Sequence, residues 1–233
     1  MLQIANIFNY QSKNNMTKDN PYIEKIKDHK YINQDLNLLP KYKGKWNEYF
    51  GNNNPLRLEI GIGLGNFFSG EVPKYSDRNF LWMEIKFKRC YVTAEKTLAK
   101  WGKNFLIIRE FAQKIDSFIW DWELEQTYIF FPDPWGKKDR QKKHRLMQAG
   151  FLETLYKKTK SGWKVIFKTD HRDYFKDSLE VIEKQNIWEI QNLSFDYENE
   201  NPNFDINNIT EFEAIHREHK TQINYLELKK KSS

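Results

Sequence analysis

The sequence predicts an α/β protein whose mostly parallel, seven-stranded sheet carries helices on both faces. From Pro55 onward, short apolar runs alternate with longer stretches of helical periodicity, as expected for strands joined by helical crossovers. Such crossovers are right-handed and cover the sheet. Several apolar runs also end in glycine or an acidic residue, at the strand ends where open parallel sheets bind their ligands.

Each predicted strand is a short run of β-branched, aromatic or aliphatic residues bounded by polar or turn-forming residues. The first is LRLEI, which runs directly into the glycines at 61–65. The others, in chain order, are NFLWMEI (79–85), NFLIIR (104–109), QTYIFF (126–131), WKVIFKTD (163–170), IWEIQNLSF (187–195) and a last strand within 209–228.

The segments between these strands predict helices. Cys90, Ala94 and Leu98 recur at helical spacing, and Gly102 follows them as a common helix stop. An acidic amphipathic segment at 112–123 separates the third and fourth strands. The predicted helices span 66–75, 86–102, 145–160 and 173–185, with a short one at the start of 209–228.

Residues 1–54 are rich in Asn, Lys and Tyr and show no clean period. They are interpreted as an N-terminal extension, flexible at its start, that precedes a main domain at 55–233. The N-terminus lacks the pattern of an export signal, and no apolar stretch approaches the ~18 residues of a membrane span. We therefore expect no membrane partner.

Cys90 is the single cysteine, which excludes an internal disulfide and a cysteine-rich metal site and fits a reducing, cytoplasmic location. His144 and His171 lie in separate stretches without a carboxylate–histidine spacing, so no metal is expected. The formal net charge of +6 and the pI of about 9.1 permit a polyanionic partner.

The sequence LEIGIGLGNF places Glu59 before glycines at 61, 63 and 65. Glycines let the backbone turn sharply and approach a ligand closely. Neither register completes the Gly-x-Gly-x-x-Gly pattern of dinucleotide-binding loops, which makes a dehydrogenase the least favoured alternative. An acid before the glycines favours a ligand with a cationic end, such as S-adenosylmethionine, over a phosphate; a turn that merely packs strand on helix is the structural alternative.

Glu84 closes the second predicted strand, 25 residues after Glu59. In nucleoside-binding sheets a carboxylate at this place reaches the ribose hydroxyls. The alternative is a solvated acid at the start of the next helix, which the helix dipole also favours.

Asp133 lies between Pro132 and Pro134, which end the apolar run and restrict the backbone around the carboxylate. A simple turn would use the same residues. However, Trp135 follows, and six of the ten residues from Gly136 to Arg145 are Lys or Arg. An aromatic beside a dense positive charge is typical of a nucleic-acid contact.

These segments together resemble bacterial tRNA (guanine-N7-)-methyltransferases. The resemblance rests on LEIGIGLGNF, WMEIKFKR, FFPDPWGKKDRQKKHRL, FKTDHRDYF and TEFE, in that order, and spans roughly residues 55–228. It implies the Rossmann-like class I S-adenosylmethionine-dependent methyltransferase fold. It also implies methyl transfer from S-adenosylmethionine to N7 of a guanine in the variable loop of tRNA.

The resemblance assigns roles to individual positions. Asp133 matches the catalytic residue, and the cofactor would contact Glu59, Gly61, Gly63, Gly65, Glu84 and Asp133. The substrate would contact Lys137, Asp139, Arg140, Gln141, Lys142, Lys143, His144, Asp170, Thr210, Glu211, Phe212 and Glu213.

One segment departs from the family. After the third strand the family has an Asp- or Asn-type contact to the adenine, whereas this chain reads IIREFAQKI. Either Glu110 takes the role through a shifted backbone, or the ring of Phe111 packs on the base.

Two alternatives stay open. One is a methyltransferase that acts on another RNA base or on protein. The other is a non-catalytic RNA-binding module with a vestigial cofactor pocket, for which Phe111 is the sequence support. The sequence does not decide between a monomer and a homodimer.

Overall fold

The structure is a computed structural model that describes residues 20–35, 37–136, 138–201 and 209–231. Within these ranges, strands and helices alternate through most of the chain, as predicted. The strands are β1 Ile32–Asn33, β2 Leu56–Ile60, β3 Asn79–Met83, β4 Phe105–Ile108, β5 Leu124–Phe130, β6 Thr159–Thr169, β7 Trp188–Ser194 and β8 Asn224–Lys230.

The helices lie between these strands and before the first of them. The α-helices are α1 Tyr22–Lys27, α2 Trp46–Phe50, α3 Asn66–Lys74, α4 Phe87–Ala99, α5 Ala149–Lys158, α6 Arg172–Gln185, α7 Tyr197–Glu200 and α8 Glu211–Glu218. Three 3₁₀ helices span Leu39–Tyr42, Ala112–Ser117 and Asp139–His144. No helix in the described ranges has the length and apolar character needed to cross a bilayer.

One sheet contains the strands in the order β1-β4-β3-β2-β5-β6-β8-β7. All pairs from β1 to β6 are parallel, and β8 is antiparallel to both β6 and β7. The predicted α/β architecture is confirmed. The described sheet has eight strands instead of seven because residues 32–33 form an additional edge strand beside β4. Two residues are too short to show the alternation that reveals a strand in a sequence.

Two apolar cores cover the two faces of the sheet. In β3 the side chains alternate between them: Leu81 and Met83 enter the first core, and Phe80 and Trp82 enter the second. A strand buried on both faces reads as one continuous apolar run, which explains the NFLWM segment. 

Side chains from the described part of 1–54 also enter these cores. Leu39 and Trp46 join the first core, and Ile26 and Ile32 join the second. The indole Nε1 of Trp46 donates to the Phe118 carbonyl at 3.0 Å. The domain boundary at residue 54 stays a prediction.

The parallel strands β2 to β6 all end at one edge of the sheet. We call this edge the rim; it consists of residues 61–65, 84–86, 109–111, 131–136 and 169–171. Most of the predicted site residues therefore lie on one side of the molecule, because parallel strands bring their carboxyl ends together.

Candidate cofactor and nucleic-acid site

The glycine loop between β2 and α3 has a backbone that other residues rarely adopt. Gly61, Gly63 and Gly65 have φ values of 79°, 55° and 70°, all in the left-handed region. A Cβ at Gly65 would overlap the side chain of Thr93 on α4. The loop thus needs glycine both for its turn and for the close approach of two helices.

Glu59 lies beneath this loop and is only 2% exposed. Its Oε2 is buried and has no hydrogen-bond partner among the described residues. Burial, followed by the nearby carboxylates of Glu211 and Glu84, raises the pKa of Glu59 well above its usual range. A buried, unsatisfied carboxyl group among other acids is a fitting neighbour for a cationic ligand, so the residues present fit the sulfonium cofactor that the sequence predicts.

Glu84 is buried directly after β3, and its carboxylate is fixed in place. Its Oε1 accepts the backbone N–H groups of Ile85 at 2.8 Å and Lys86 at 2.9 Å. The Arg89 guanidinium lies 3.4 Å from its Oε2. Glu84 therefore supports the entry to α4 but is not the solvated acid of the alternative interpretation; its role toward a ribose stays a prediction.

The segment after β4 leaves both candidates for the adenine contact at the rim. Glu110 turns its carboxylate back to accept the Phe111 N–H at 2.7 Å. The Phe111 ring is 59% exposed. An exposed ring beside the site is available to stack on a base, but the choice between the two residues stays open.

The turn around Asp133 is held from behind by a buried arginine. Arg145, at the end of the basic run, donates from Nε to the Pro134 carbonyl at 2.7 Å and pairs with Asp177 on α6. Its guanidinium also lies 4.9 Å from the centre of the Tyr174 ring. Arg145 thus braces the turn instead of facing solvent, while Asp133 itself is exposed at the rim.

The basic stretch forms the 3₁₀ helix at 139–144 beside this turn. Arg140, Lys143 and His144 are exposed, and the His144 ring lies 5.3 Å from that of Trp135. Lys142 is 3.3 Å from Asp139 and also faces Asp177. Gln141 is half-buried. Lys137, predicted to contact substrate, lies outside the described residues. The exposed residues give a cationic surface next to Asp133.

Helix α8 packs against the rim at the glycine loop. Thr210 and Glu213 form a reciprocal capping box at its start: Thr210 Oγ accepts the Glu213 N–H at 3.1 Å, and Glu213 Oε2 accepts the Thr210 N–H at 2.9 Å. The next residue, Glu211, accepts the Leu64 N–H of the glycine loop. The segment 210–213 therefore reaches the cofactor loop through Glu211, although 147 positions separate Glu211 from Leu64.

Two further residues link α8 to the end of β6. Lys168 near the end of β6 pairs with the fully buried Glu213, and His216 on α8 lies 3.6 Å from Asp170. Sequence reasoning missed both. A lysine inside an apolar run predicted as a strand was a usable signal, because a buried cation needs a partner. His216 follows Phe212 by four residues, which places both on one helix face.

Lys86 lies beside Asp133 and Glu84. Burial lowers the pKa of Lys86, Arg89 lowers it further, and the two carboxylates oppose this effect.

Within the described residues, no three His, Cys, Asp or Glu side chains come together as a metal site.

Comparisons with known proteins agree with this geometry. Residues 53–226 match the methyltransferase family Methyltransf_4. The tRNA (guanine-N(7)-)-methyltransferase of Bacillus subtilis is 35% identical over 74% of this chain and 79% of its own length. That of Clostridioides difficile is also 35% identical, over 79% of this chain and 83% of the relative.

A bifunctional glycosyltransferase/methyltransferase of Fusobacterium nucleatum is 35% identical over 91% of this chain, but the match spans only 33% of that protein's length. Among solved structures, the 16S rRNA methyltransferase KamB matches with a TM-score of 0.60 over 81% of this chain and 94% of its own. At 12% identity, this likeness shows the fold alone. It confirms the Rossmann-like class I methyltransferase fold. The family match, the two tRNA-modifying relatives and the site at the rim lead to one conclusion: this chain belongs to the tRNA (guanine-N7-)-methyltransferase family.

Proposed function

We propose that the protein transfers a methyl group from S-adenosylmethionine to N7 of a guanine in the variable loop of tRNA. One observation carries the proposal: Glu59 and its glycine loop share a rim with Asp133 and an exposed cationic surface, and the buried Oε2 of Glu59 has no hydrogen-bond partner in the described part of the chain. The relatives named for this activity support the choice of substrate.

The cofactor would lie against Glu59, Gly61, Gly63, Gly65 and Glu84. When bound, it supplies a methyl group that the attached sulfonium activates for transfer. The glycines give the loop its turn, Glu59 offers a carboxylate to the cationic end, and the fixed carboxylate of Glu84 suits the ribose hydroxyls. Either Glu110 or Phe111 would contact the adenine.

The acceptor makes modest chemical demands on the protein. Guanine N7 carries an exposed in-plane lone pair, so no residue has to remove a proton before the transfer. Alignment of donor and acceptor is then the main task, and the restricted Pro132–Asp133–Pro134 turn suits it. As positive charge moves from sulfur to the purine, the Asp133 carboxylate would stabilise it or orient the base. 

Asp170 and residues 210–213 would hold the guanine edge or its neighbours. Asp139, Arg140, Gln141, Lys142, Lys143 and His144, together with Lys137, would contact the tRNA, chiefly through its phosphates. Because N7 lies in a deep, narrow groove in duplex RNA, the target guanine must be exposed in a loop or splayed out.

Nucleoside mass spectrometry of tRNA incubated with the protein and methyl-labelled cofactor tests the proposal. We expect labelled 7-methylguanosine. Label in a different nucleoside would indicate another base specificity. Cofactor and tRNA binding without any transfer would indicate the non-catalytic RNA-binding module. A cytoplasmic location and a monomeric or homodimeric state belong to the same proposal, and light scattering during gel filtration checks the latter.

A further inference from the structure

The imidazole ring of His216 contacts two residues of the rim, Phe131 and Asp170. The ring stacks on Phe131 with a centroid distance of 5.4 Å and an interplanar angle of 21°. Its Nε2 lies 3.6 Å from Oδ2 of Asp170. The His216 side chain is 12% exposed and that of Asp170 is 41% exposed, so the histidine lies behind an aspartate that faces solvent.

Phe131 lies two residues before Asp133, where the chain leaves β5 and enters the turn. It has a φ of 50°, which is uncommon for an aromatic residue and requires support from its surroundings. That support comes from α8, because Phe212 stacks on the same ring at 5.9 Å. His216 therefore contacts Asp170 directly and is linked to the Asp133 turn through Phe131.

The charged groups around His216 are Asp170 directly after β6, Glu213 in the first turn of α8 and His219 directly after that helix. Burial lowers the pKa of His216, Asp170 opposes this effect, His219 adds to it, and Glu213 opposes it. The imidazole is therefore neutral near pH 7, with one ring N–H to donate. Directed at Asp170, that donor leaves the carboxylate oxygens free to accept the N1–H and N2–H groups of a guanine edge.

We propose that His216 is a positioning residue for guanine recognition: it orients the Asp170 carboxylate toward the base and holds Phe131 beneath the Asp133 turn. This inference rests on the proposed function. Protonation of His216 would pair it more strongly with Asp170 and compete with the guanine for that carboxylate. The value of kcat/KM for tRNA should then fall as the pH falls through the pKa of His216.

Two variants separate the two contacts. His216→Phe keeps a ring to stack on Phe131 but removes the donor to Asp170, whereas His216→Gln keeps a donor and loses the ring. We expect His216→Phe to lower kcat/KM for tRNA at pH 7 by about tenfold, just below the scale of a hydrogen bond to a charged group because the contact is 3.6 Å long, with an unchanged cofactor Kd. Its acidic limb in the pH profile should disappear, and His216→Gln should recover part of the loss. The exposed Glu218→Gln at the end of the same helix, which is not among the groups that shift the pKa of His216, is the control.

Wild-type protein in the same assay separates a failure of the proposed function from a failure of the role proposed for His216. Failure of wild type to make 7-methylguanosine would overturn the proposed function and this inference with it. Wild-type activity with an unchanged His216→Phe rate and pH profile would overturn the inference alone. If His216→Phe does not fold, NMR titration decides: Asp170→Asn should lower the pKa of His216, because the carboxylate stabilises the imidazolium, and an unchanged pKa would overturn the inference.

Discussion

The ammonium of Lys168 and the carboxylate of Glu213 form a buried ion pair that joins the end of β6 to the first turn of α8. The Lys168 ammonium also lies 4.7 Å from the centre of the Tyr197 ring and 5.1 Å from that of Phe130. Since Glu213 caps α8 as well, this pair fixes the helix that carries Glu211 and His216. Glu213 thus holds α8 in place beside the site. Its contact with the substrate stays a prediction.

Replacing one partner of this ion pair should destabilise the protein more than replacing both. Lys168→Met leaves the Glu213 carboxylate buried without its cation, and we expect a loss of about 3–5 kcal/mol in the free energy of unfolding. The double variant Lys168→Met, Glu213→Met should lose less. Urea denaturation measures both. Lys164 lies on the same strand as Lys168 and forms a more exposed pair with Glu227 of β8. Lys164→Met removes this pair and should lower the free energy of unfolding by less than about 1 kcal/mol. A double variant less stable than Lys168→Met would contradict this account.

Glu59 should make the unliganded protein less stable as the pH rises. The unfolded carboxyl titrates near 4.5, and burial raises the pKa in the folded protein. Between these two values the folded state binds more protons than the unfolded state, so stability falls with increasing pH through this window. Glu59→Gln should remove this fall and raise the Tm at pH 7. Thermal melts at several pH values test it, with the exposed Glu180→Gln as control. A parallel decline in Glu59→Gln and wild type would assign the pH dependence elsewhere.

Asp133→Asn and Asp133→Ala should reduce turnover at saturating tRNA by at least about 100-fold, because in the proposed function the turn holds this carboxylate beside the reacting base. Their cofactor Kd should change far less than kcat. Single-turnover kinetics with labelled cofactor provide the measurement. Asp77→Asn, before β3 at the opposite edge of the sheet, is the control and should retain wild-type turnover. Near-normal turnover in Asp133→Ala would remove this residue from the mechanism.

Gly63 and Glu211 should show strong coupling in a double-mutant cycle. A Cβ at Gly63 would overlap the Glu211 carboxylate, and the positive φ adds strain of its own. Gly63→Ala should therefore lower the Tm and weaken cofactor binding. In the Glu211→Ala background the overlap is gone and only the backbone strain remains, so the second substitution should cost less. Calorimetric Kd values and Tm values complete the cycle; additive effects would show that α8 does not press on the loop in solution.

Lys143 should contribute more to tRNA affinity than Lys142. Lys143 is exposed, whereas Lys142 already faces the carboxylates of Asp139 and Asp177. Lys143→Gln should weaken binding and reduce the slope of log K against log salt by about 0.7–0.9, the value for one phosphate contact. Filter binding over a salt series measures this slope. Lys157→Gln, which removes an exposed lysine of α5 paired with Glu153, should leave it unchanged. An unaltered slope for Lys143→Gln would assign this lysine to solvent.

Much of the rim could be predicted from the sequence because its parts are local. Each part is visible in the sequence as a distinctive residue type next to an apolar run. These parts are the glycine loop, the acids at 59 and 84 and the Pro-Asp-Pro turn. The parallel topology then brings them together. The same reasoning could not separate Arg145 from the lysines before it. Only the fold shows that Arg145 points inward to the Pro134 carbonyl.

The contacts of α8 could not be predicted from the sequence because they join residues that are distant in the chain. The Thr-x-x-Glu spacing of residues 210–213 predicts a capping box by itself. It does not reveal that Glu213 continues to Lys168, nor that Glu211 reaches Leu64, because both partners are distant in the chain. Strand β6 likewise begins at Thr159, four residues before the predicted start, through a register shift near Gln126 that no local pattern marks.

The antiparallel strand β8 has a consequence for biosynthesis. It is inserted between β6 and β7, so β7 has no neighbour in the sheet until residues 224–230 have left the ribosome. Helix α8 directly precedes β8, so its position across the glycine loop is completed only when that strand docks. During translation, the nascent chain can therefore assemble its parallel strands early, yet it should reach full affinity for the methyl donor only after β8 has been released.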